Sequence, residues 1–268
     1  MPVTTANGIE IYYERAGSGP PLLFISGTGG DLRTKPNVFD GPLPKRFEVL
    51  AYDQRGLGRT EKPDVAYRMA DYADDAAALM ADQGWDEANV IGVSFGGMVA
   101  QELVLRHPER VKRLVLACTS PGGAGGASYP FHDIQHLAGE ARAEFLLPIS
   151  DTRRDAAWAQ ANPDQHRVFV AMAAAPPPGA GEPGHEMGAR RQLEARARHD
   201  TWDRLPDIAC PVLIAAGRYD GIALPATQER MATRIPGAKL QVFEGGHLFM
   251  IQDRTAYPAM VEFLQAEP

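Results

Sequence analysis

Apolar residues occur along much of the chain in short runs that turn-forming residues or helical segments separate. Four runs, at residues 22–25, 49–52, 90–93 and 111–117, are apolar at nearly every position. Such runs are typical of strands that are buried on both faces of a parallel sheet. An earlier run at residues 9–14 alternates apolar and polar positions, and this pattern predicts an antiparallel edge strand followed by a turn.

Segments with helical spacing lie between the later strands. Residues 71–84 place Tyr72, Ala76 and Leu79 on one face, and residues 95–106 lead into a His-Pro step that ends a helix. Strands that alternate with helices in this way predict an α/β fold with a doubly wound, mostly parallel sheet.

The alternation stops after Thr119 and resumes at residues 211–217. The region between them is rich in glycine and proline but contains helical pieces near residues 138–146 and 187–199. A long region with its own helices is more consistent with a lid than with a linker.

We therefore predict one folding unit with a helical cap inserted before the last strands. Its α/β core comprises residues 1–120 and 206–268, and the cap comprises residues 121–205.

The composition is that of an ordinary globular protein, with 44% hydrophobic and 23% charged residues. The formal net charge is −7 and no stripe of Lys and Arg is present, so neither nucleic acid nor an anionic membrane is an expected partner. No apolar run approaches the ~20 residues that cross a bilayer, and no signal peptide is visible. We expect a cytoplasmic protein, and the pattern predicts no particular oligomeric state.

The sequence contains no recognisable cofactor site. Two cysteines, Cys118 and Cys210, are too few for a disulfide framework or a four-ligand zinc site, and both lie beside strand-like runs where buried structural thiols are common. The glycines at residues 27–30 lack the spacing of a dinucleotide-binding loop, and no P-loop lysine accompanies them. We therefore expect no metal and no organic cofactor.

The run GVSFG at residues 92–96 lies between a predicted strand and a predicted helix, which is the context that a G-x-S-x-G nucleophile requires. The turn is so tight that Gly92 and Gly96 are needed to avoid collisions. The alternative is that Ser94 only caps the helix that begins at Phe95. The motif favours Ser94 as a catalytic nucleophile.

A serine hydroxyl is a weak nucleophile until a base accepts its proton and an acid orients that base. Asp220 and His247 each follow a predicted strand, and ligand sites collect at the carboxyl ends of such strands. We predict that they complete a triad with Ser94. The other histidines are expected to have surface or packing roles; they are His107, His132, His136, His166, His185 and His199.

A tetrahedral intermediate requires hydrogen-bond donors for its oxyanion. The backbone N–H of Phe95, directly after the nucleophile, is the first expected donor. Thr28, in the glycine-rich loop after the strand at residues 22–25, is the second expected donor. The alternative for this loop is a plain glycine turn.

Large apolar residues in the cap suggest a substrate pocket. The predicted pocket residues are Phe131, Trp158, Phe169 and Met172, and Trp202 is a further aromatic of this region. The same residues could instead form the small core of the cap itself.

Several motifs, in this order along the chain, resemble the α/β-hydrolase superfamily, and within it the small bacterial esterases and enol-lactonases such as 3-oxoadipate enol-lactonase. They are YDQRGLGR at residues 52–59, GVSFGGM at residues 92–98, HPERV at residues 107–111 and Gly246-His247. The resemblance implies that residues 53–58 form a structural turn. Two departures are Ser26-Gly27, where the family often has His-Gly, and Ser94 in place of the Asp nucleophile of haloalkane dehalogenases and epoxide hydrolases.

The predicted triad and the resemblance together indicate a serine hydrolase that cleaves a small-molecule carboxylic ester or lactone through an acyl-enzyme. Two alternatives stay open because fold does not determine function. The same triad could act on a carbon–carbon bond or in cofactor-free perhydrolysis, or the chain could be a small-molecule receptor with little turnover.

Overall fold

An eight-stranded sheet forms the centre of the computed structural model, which describes residues 2–266. Residues 1, 267 and 268, which belong to the predicted core segments 1–120 and 206–268, lie outside the described residues. The strands in chain order are β1 (Val3–Ala6), β2 (Ile9–Ala16), β3 (Pro21–Ile25), β4 (Glu48–Tyr52), β5 (Ala88–Val93), β6 (Val111–Ala117), β7 (Val212–Gly217) and β8 (Lys239–Phe243).

The strands are arranged in the order β1-β2-β4-β3-β5-β6-β7-β8. Strand β2 pairs antiparallel with both β1 and β4, and the other five pairings are parallel. This confirms the prediction of a mostly parallel sheet with an antiparallel edge. Strand β1 was not predicted, because only four residues pair there and only one of them, Ala6, is buried.

Helices cover both faces of the sheet. Within residues 2–266 the α-helices are α1 (Met69–Asp82), α2 (Phe95–Arg106), α3 (Gly139–Ser150), α4 (Ala156–Ala161), α5 (Pro163–Ala174), α6 (His185–Ala197), α7 (Pro225–Arg234), α8 (Phe249–Gln252) and α9 (Ala256–Gln265). Helices α1, α2 and α7 contribute to the core cluster on one face, and α8 and α9 contribute to the cluster on the other.

The central strands are apolar throughout because neighbouring residues face opposite layers of helices. In β5, Val90 packs in the cluster beneath α1 and α2, whereas Ile91 packs in the cluster beneath α9. In β6, Leu114 packs in the first of these clusters and Val115 in the second. Burial on both faces is therefore the physical reason that the sequence pattern predicted these strands.

Four helices, α3 to α6, lie within the predicted cap at residues 121–205. Ala143 and Leu147 of α3 pack against Val170 of α5. Helices α4 and α5 were not predicted from the sequence. Helix α4 is only six residues long. In α5 the apolar residues do not all face the core, since Val168 and Met172 are exposed.

His199, one of the histidines expected to have a surface or packing role, is buried at the carboxyl end of this region. Burial is the main cause that lowers the pKa of His199 to about 3, and the positive charges of Arg204 and Arg196 act in the same direction. His199 is therefore neutral in the folded protein at any ordinary pH. In the unfolded chain it becomes protonated below its usual pKa of about 6.5.

His199→Gln is expected to reduce the acid sensitivity of the fold. Between pH 6.5 and 3 the unfolded chain binds one more proton at His199 than the folded chain does. Stability is therefore lost as the pH falls, with a slope of up to about 1.4 kcal/mol per pH unit. Urea unfolding from pH 4 to 7 measures this slope in the wild type and in His199→Gln. The contribution of the carboxylates is the same in the two proteins, so it cancels when one slope is subtracted from the other. Equal slopes would contradict the assignment.

Candidate active site

Ser94 occupies the tight turn between β5 and α2. Its backbone has φ 55° and ψ −114°, a conformation that residues other than glycine rarely adopt. Two hydrogen bonds hold this turn: the Ser94 N–H donates to the Ala117 carbonyl oxygen at 2.8 Å, and the Thr119 hydroxyl donates to the Ser94 carbonyl oxygen at 2.8 Å. The strained serine is thus supported by the end of the neighbouring strand β6.

The two glycines of the motif are required by close backbone contacts. A Cβ atom on Gly92 would overlap the carbonyl oxygen of Gly96, and one on Gly96 would overlap the carbonyl oxygen of Ile25. The sequence analysis expected small residues here for this reason.

The structure brings Ser94, His247 and Asp220 together in one chain of hydrogen bonds. The Ser94 Oγ lies 2.9 Å from Nε2 of His247, and Nδ1 of the same ring lies 2.8 Å from Oδ2 of Asp220. The Ser94 residue is 8% exposed, the His247 side chain 13% and the Asp220 side chain 0%. An imidazole in this position can accept the serine proton through Nε2 while the carboxylate holds the proton on Nδ1.

Asp220 is fixed by more than the imidazole. It lies in the loop after β7, and its Oδ1 accepts the backbone N–H groups of Ile222 and Ala223 at 2.8 and 2.9 Å. One carboxylate oxygen therefore binds the backbone of the loop, and the other binds His247.

His247 lies in the loop after β8 and contacts the predicted cap. Its backbone N–H donates to the carbonyl oxygen of Ser150, the last residue of α3, at 2.6 Å. A Cβ atom on Gly246 would overlap the same carbonyl oxygen, so glycine permits the close approach. This contact could not be predicted from the sequence, because it depends on a backbone oxygen and carries no side-chain signal.

The loop that carries Thr28 contacts the serine through Gly27, where an added Cβ would lie 3.4 Å from the Ser94 Cβ. Phe95 is the first residue of α2, and the first N–H groups of a helix have no partner inside that helix. The backbone N–H groups of Thr28 and Phe95 donate to no residue in the described part of the chain. Both amides are thus available as donors.

Two buried glutamines that the sequence analysis did not single out hold the Thr28 loop. Nε2 of Gln54 donates to the Ser26 carbonyl oxygen at 2.8 Å, and Oε1 of Gln192 accepts the Gly29 N–H at 2.9 Å. Gln54 belongs to the turn at residues 53–58, so the family-like motif was a usable signal for it. Gln192 has no such signal.

Only one of the predicted pocket residues lies near the triad. Phe131 packs with Ile222, two residues from Asp220. Trp158 and Phe169 instead stack on each other, with ring centroids 6.0 Å apart, in the cluster that joins α3 to α5. Met172 is 71% exposed. For these last three residues the prediction of a pocket does not fit their placement, because the cap uses the two rings as its own core.

A cavity of about 690 Å³ lies between the Thr28 loop and helices α3, α5 and α6. Its lining includes Thr28, Leu57, Arg142, Pro177 and Leu193. None of the four predicted pocket residues lines it. The residues that line this cavity are therefore a different set from the large aromatics that stand out in the sequence.

Cys118 and Cys210 are free cysteines, and Cys118 lies close enough to Asp220 and to the Ser94 backbone for both to affect its pKa. Burial raises the pKa of Cys118 well above the usual range and that of Cys210 to about 11, so both thiols stay protonated and unreactive at neutral pH. Between residues 2 and 266, no His, Cys, Asp and Glu side chains group in a way that could hold a metal ion, and no helix is long and apolar enough to cross a membrane.

The sequence profile of the α/β hydrolase fold family matches residues 20–253, nearly the whole of the chain. The chain belongs to this family. A curated relative in the same superfamily, the poly(3-hydroxyalkanoate) depolymerase of Ectopseudomonas oleovorans, is 32% identical over 257 residues, which cover 92% of this chain and 85% of the relative. The 2-hydroxymuconate semialdehyde hydrolase of Pseudomonas sp. strain CF600 is 28% identical, with 98% and 92% covered.

Among solved structures, the enol-lactonase of Burkholderia xenovorans LB400 superimposes on this α/β hydrolase with a TM-score of 0.79 at 26% identity, covering 99% of this chain and all of that one. The expected fold is confirmed, as is the resemblance to the enol-lactonase group. These relatives are hydrolases with different substrates.

Proposed function

We propose that this α/β hydrolase is a serine hydrolase that cleaves a small carboxylic ester or lactone. The observation that carries the proposal is the continuous hydrogen-bond chain from Ser94 through His247 to Asp220. Its distances lie within the range in which a base can take a proton directly from a nucleophile.

In the first half of the reaction, the Ser94 Oγ attacks the carbonyl carbon of the substrate while its proton passes to Nε2 of His247. Asp220 stabilises the imidazolium that results. The negative oxygen of the tetrahedral intermediate accepts the N–H groups of Phe95 and Thr28. The bond to the leaving oxygen then breaks, His247 returns the proton to that oxygen, and the acyl group remains on Ser94.

In the second half, water replaces the leaving alcohol. His247 takes a proton from the water as its oxygen attacks the acyl carbon, and the same two N–H groups hold the second oxyanion. The second tetrahedral intermediate then breaks down: the bond between the acyl carbon and Ser94 Oγ is cleaved, a carboxylic acid is released, and the proton on Nε2 returns to Ser94 Oγ. In a lactone the alcohol and the acid are parts of one product, so a single hydroxy acid leaves.

The bond type is supported by the relatives. A poly(3-hydroxyalkanoate) is a polyester and an enol-lactone is an internal ester, and proteins named for each of them are similar to this chain. The cavity of about 690 Å³ beside Thr28 lies within the range of small-molecule sites, roughly 300–1,000 Å³.

We also propose that residues 121–205 act as a cap over the triad. The support is that Ser150 of α3 binds the backbone of His247, and that Phe131 packs against the loop of Asp220. Both contacts join this segment to the two loops that position the base.

A substrate panel tests the proposal. It contains p-nitrophenyl esters of increasing acyl length, simple lactones, an aryl carbamate and a vinylogous 1,5-diketone, with peracid formation measured in parallel. We expect the highest kcat/KM for an ester or lactone. Selective cleavage of the diketone would overturn the bond assignment, and tight ligand binding without turnover of any member would favour a receptor.

A further inference from the structure

Gln192 connects the predicted cap to the loop beside the serine. It lies in α6 and is 1% exposed, and its Oε1 accepts the N–H of Gly29 at 2.9 Å. The two residues are 163 positions apart in sequence. A single side chain therefore joins the last helix of the cap to the neighbour of Thr28.

The Gln192 side chain makes no other polar contact within residues 2–266. An N–H group can only be paired with an acceptor, so the oxygen of the amide faces Gly29. The Nε2 group is then buried without a partner. A buried donor without a partner is unfavourable for folding. The bond to Gly29 in the Thr28 loop is therefore the polar contact that accounts for a glutamine at this position.

The loop is a four-residue turn at residues 27–30. The Gly30 N–H donates to the Gly27 carbonyl oxygen at 3.1 Å, and Gly29 has φ 71°. A positive φ at the third residue is the mark of a type II turn. The competing type I turn differs by a flip of the peptide between Thr28 and Gly29. That flip would turn the Thr28 carbonyl oxygen toward Oε1 of Gln192, and two oxygens would then face each other.

Gln192 therefore favours one of the two turn conformations. The Thr28 N–H belongs to the preceding peptide, which the bond between Gly30 and Gly27 orients in either conformation, because the C=O and N–H of a trans peptide point in opposite directions. The bond from Gln192 to Gly29 ties this whole turn to α6 and so limits its displacement relative to Ser94. An oxyanion donor acts only if it is held in place before the charge develops, within about 0.5 Å of its working position.

We propose that Gln192 is a positioning residue that anchors the turn at residues 27–30 to α6, at the place from which the Thr28 N–H stabilises the oxyanion. Because Gln192 belongs to α6, this anchor exists only while the proposed cap is docked. The inference rests on the proposed function, since it requires acyl transfer at Ser94.

Gln192→Met tests the inference by replacing the acceptor with a side chain of similar length and shape. We expect kcat for a p-nitrophenyl ester to fall by about 10- to 100-fold, the usual effect of a displaced oxyanion donor, with KM changed by less than about threefold. Gln192→Glu is the rescue variant. Burial favours the neutral acid, which keeps an oxygen acceptor for Gly29, so we expect its kcat within about fivefold of wild type.

A second measurement separates positioning from packing. An aryl trifluoromethyl ketone adds to a catalytic serine and places its oxyanion where the intermediate would lie. Its affinity should fall in Gln192→Met by the same factor as kcat. The midpoint of thermal unfolding should change by no more than about 3 °C, because the side chain contributes little to stability. Glu194→Met is the matched control on the same helix, since the Glu194 side chain is 38% exposed and is paired only with Arg190 and Arg191.

Two outcomes would overturn the role of Gln192 while leaving the proposed function intact. One is a Gln192→Met enzyme whose kcat stays within threefold of wild type. The other is a loss confined to KM or to the unfolding midpoint, which indicates packing of the cap. Absence of ester and lactone turnover in the wild-type enzyme would instead remove the proposed function itself.

Discussion

Ser94→Ala lowers kcat for an activated ester such as p-nitrophenyl acetate by about 10⁴- to 10⁶-fold, the range for loss of a triad nucleophile. The variant retains the oxyanion donors and the cavity but has no atom that can form the acyl bond. Its fold is expected to be intact, because within residues 2–266 the Ser94 hydroxyl forms a hydrogen bond only with His247. Alanine also tolerates the positive φ of this turn no worse than serine does.

Ester hydrolysis and thermal unfolding, measured on the same preparations, check this expectation. Ser120→Ala is a suitable control. Ser120 is also buried and follows the neighbouring strand β6, but its hydroxyl accepts the N–H of Ser128 and not a hydrogen bond of the triad. A Ser94→Ala enzyme that retains more than a tenth of the wild-type rate would require another nucleophile.

Asp220→Asn lowers kcat by about 10³- to 10⁴-fold. Two backbone N–H groups, of Ile222 and Ala223, point at Oδ1 of Asp220 and will hold the amide oxygen of the new asparagine there. Its NH₂ group must then face Nδ1 of His247. This pairing moves the imidazole proton to Nε2, the atom that has to accept the serine proton, so the base becomes ineffective.

The rate of ester turnover and the rate of labelling by a fluorophosphonate are both expected to fall in Asp220→Asn, because each needs an activated Ser94. Asp203→Asn serves as the control, since its carboxylate is 92% exposed and pairs only with Arg234. Near-normal rates in Asp220→Asn would show that a different carboxylate orients the base.

The fold, and the close approach of Ser94, Asp220 and His247, could be predicted from short sequence patterns and from the topology of a parallel sheet. Strands β5 and β6 are apolar at both faces, and the glycines around Ser94 are required by contacts of that same turn. Asp220 and His247 could be expected near Ser94 because the carboxyl ends of parallel strands meet at one edge of the sheet. No knowledge of side-chain packing was needed for these inferences.

The cap could not be predicted in the same way. Trp158 and Phe169 look the same in a sequence whether they line a pocket or pack on each other, and only the path of α3 to α5 decides between these arrangements. The bond from Gln192 to Gly29 joins two distant parts of the chain, and a single glutamine carries no motif. Long-range contacts of this kind depend on the folded path and not on local spacing.

Identification of the acylated residue during turnover tests the central claim most directly. The wild-type enzyme is mixed with p-nitrophenyl acetate, quenched with acid during the burst of nitrophenol, digested, and mapped by mass spectrometry. Hydrolysis through an acyl-enzyme predicts one acetyl group per chain on Ser94 and none in Ser94→Ala. Turnover with the acetyl group on a different residue, or with no covalent adduct at the burst, would contradict the account.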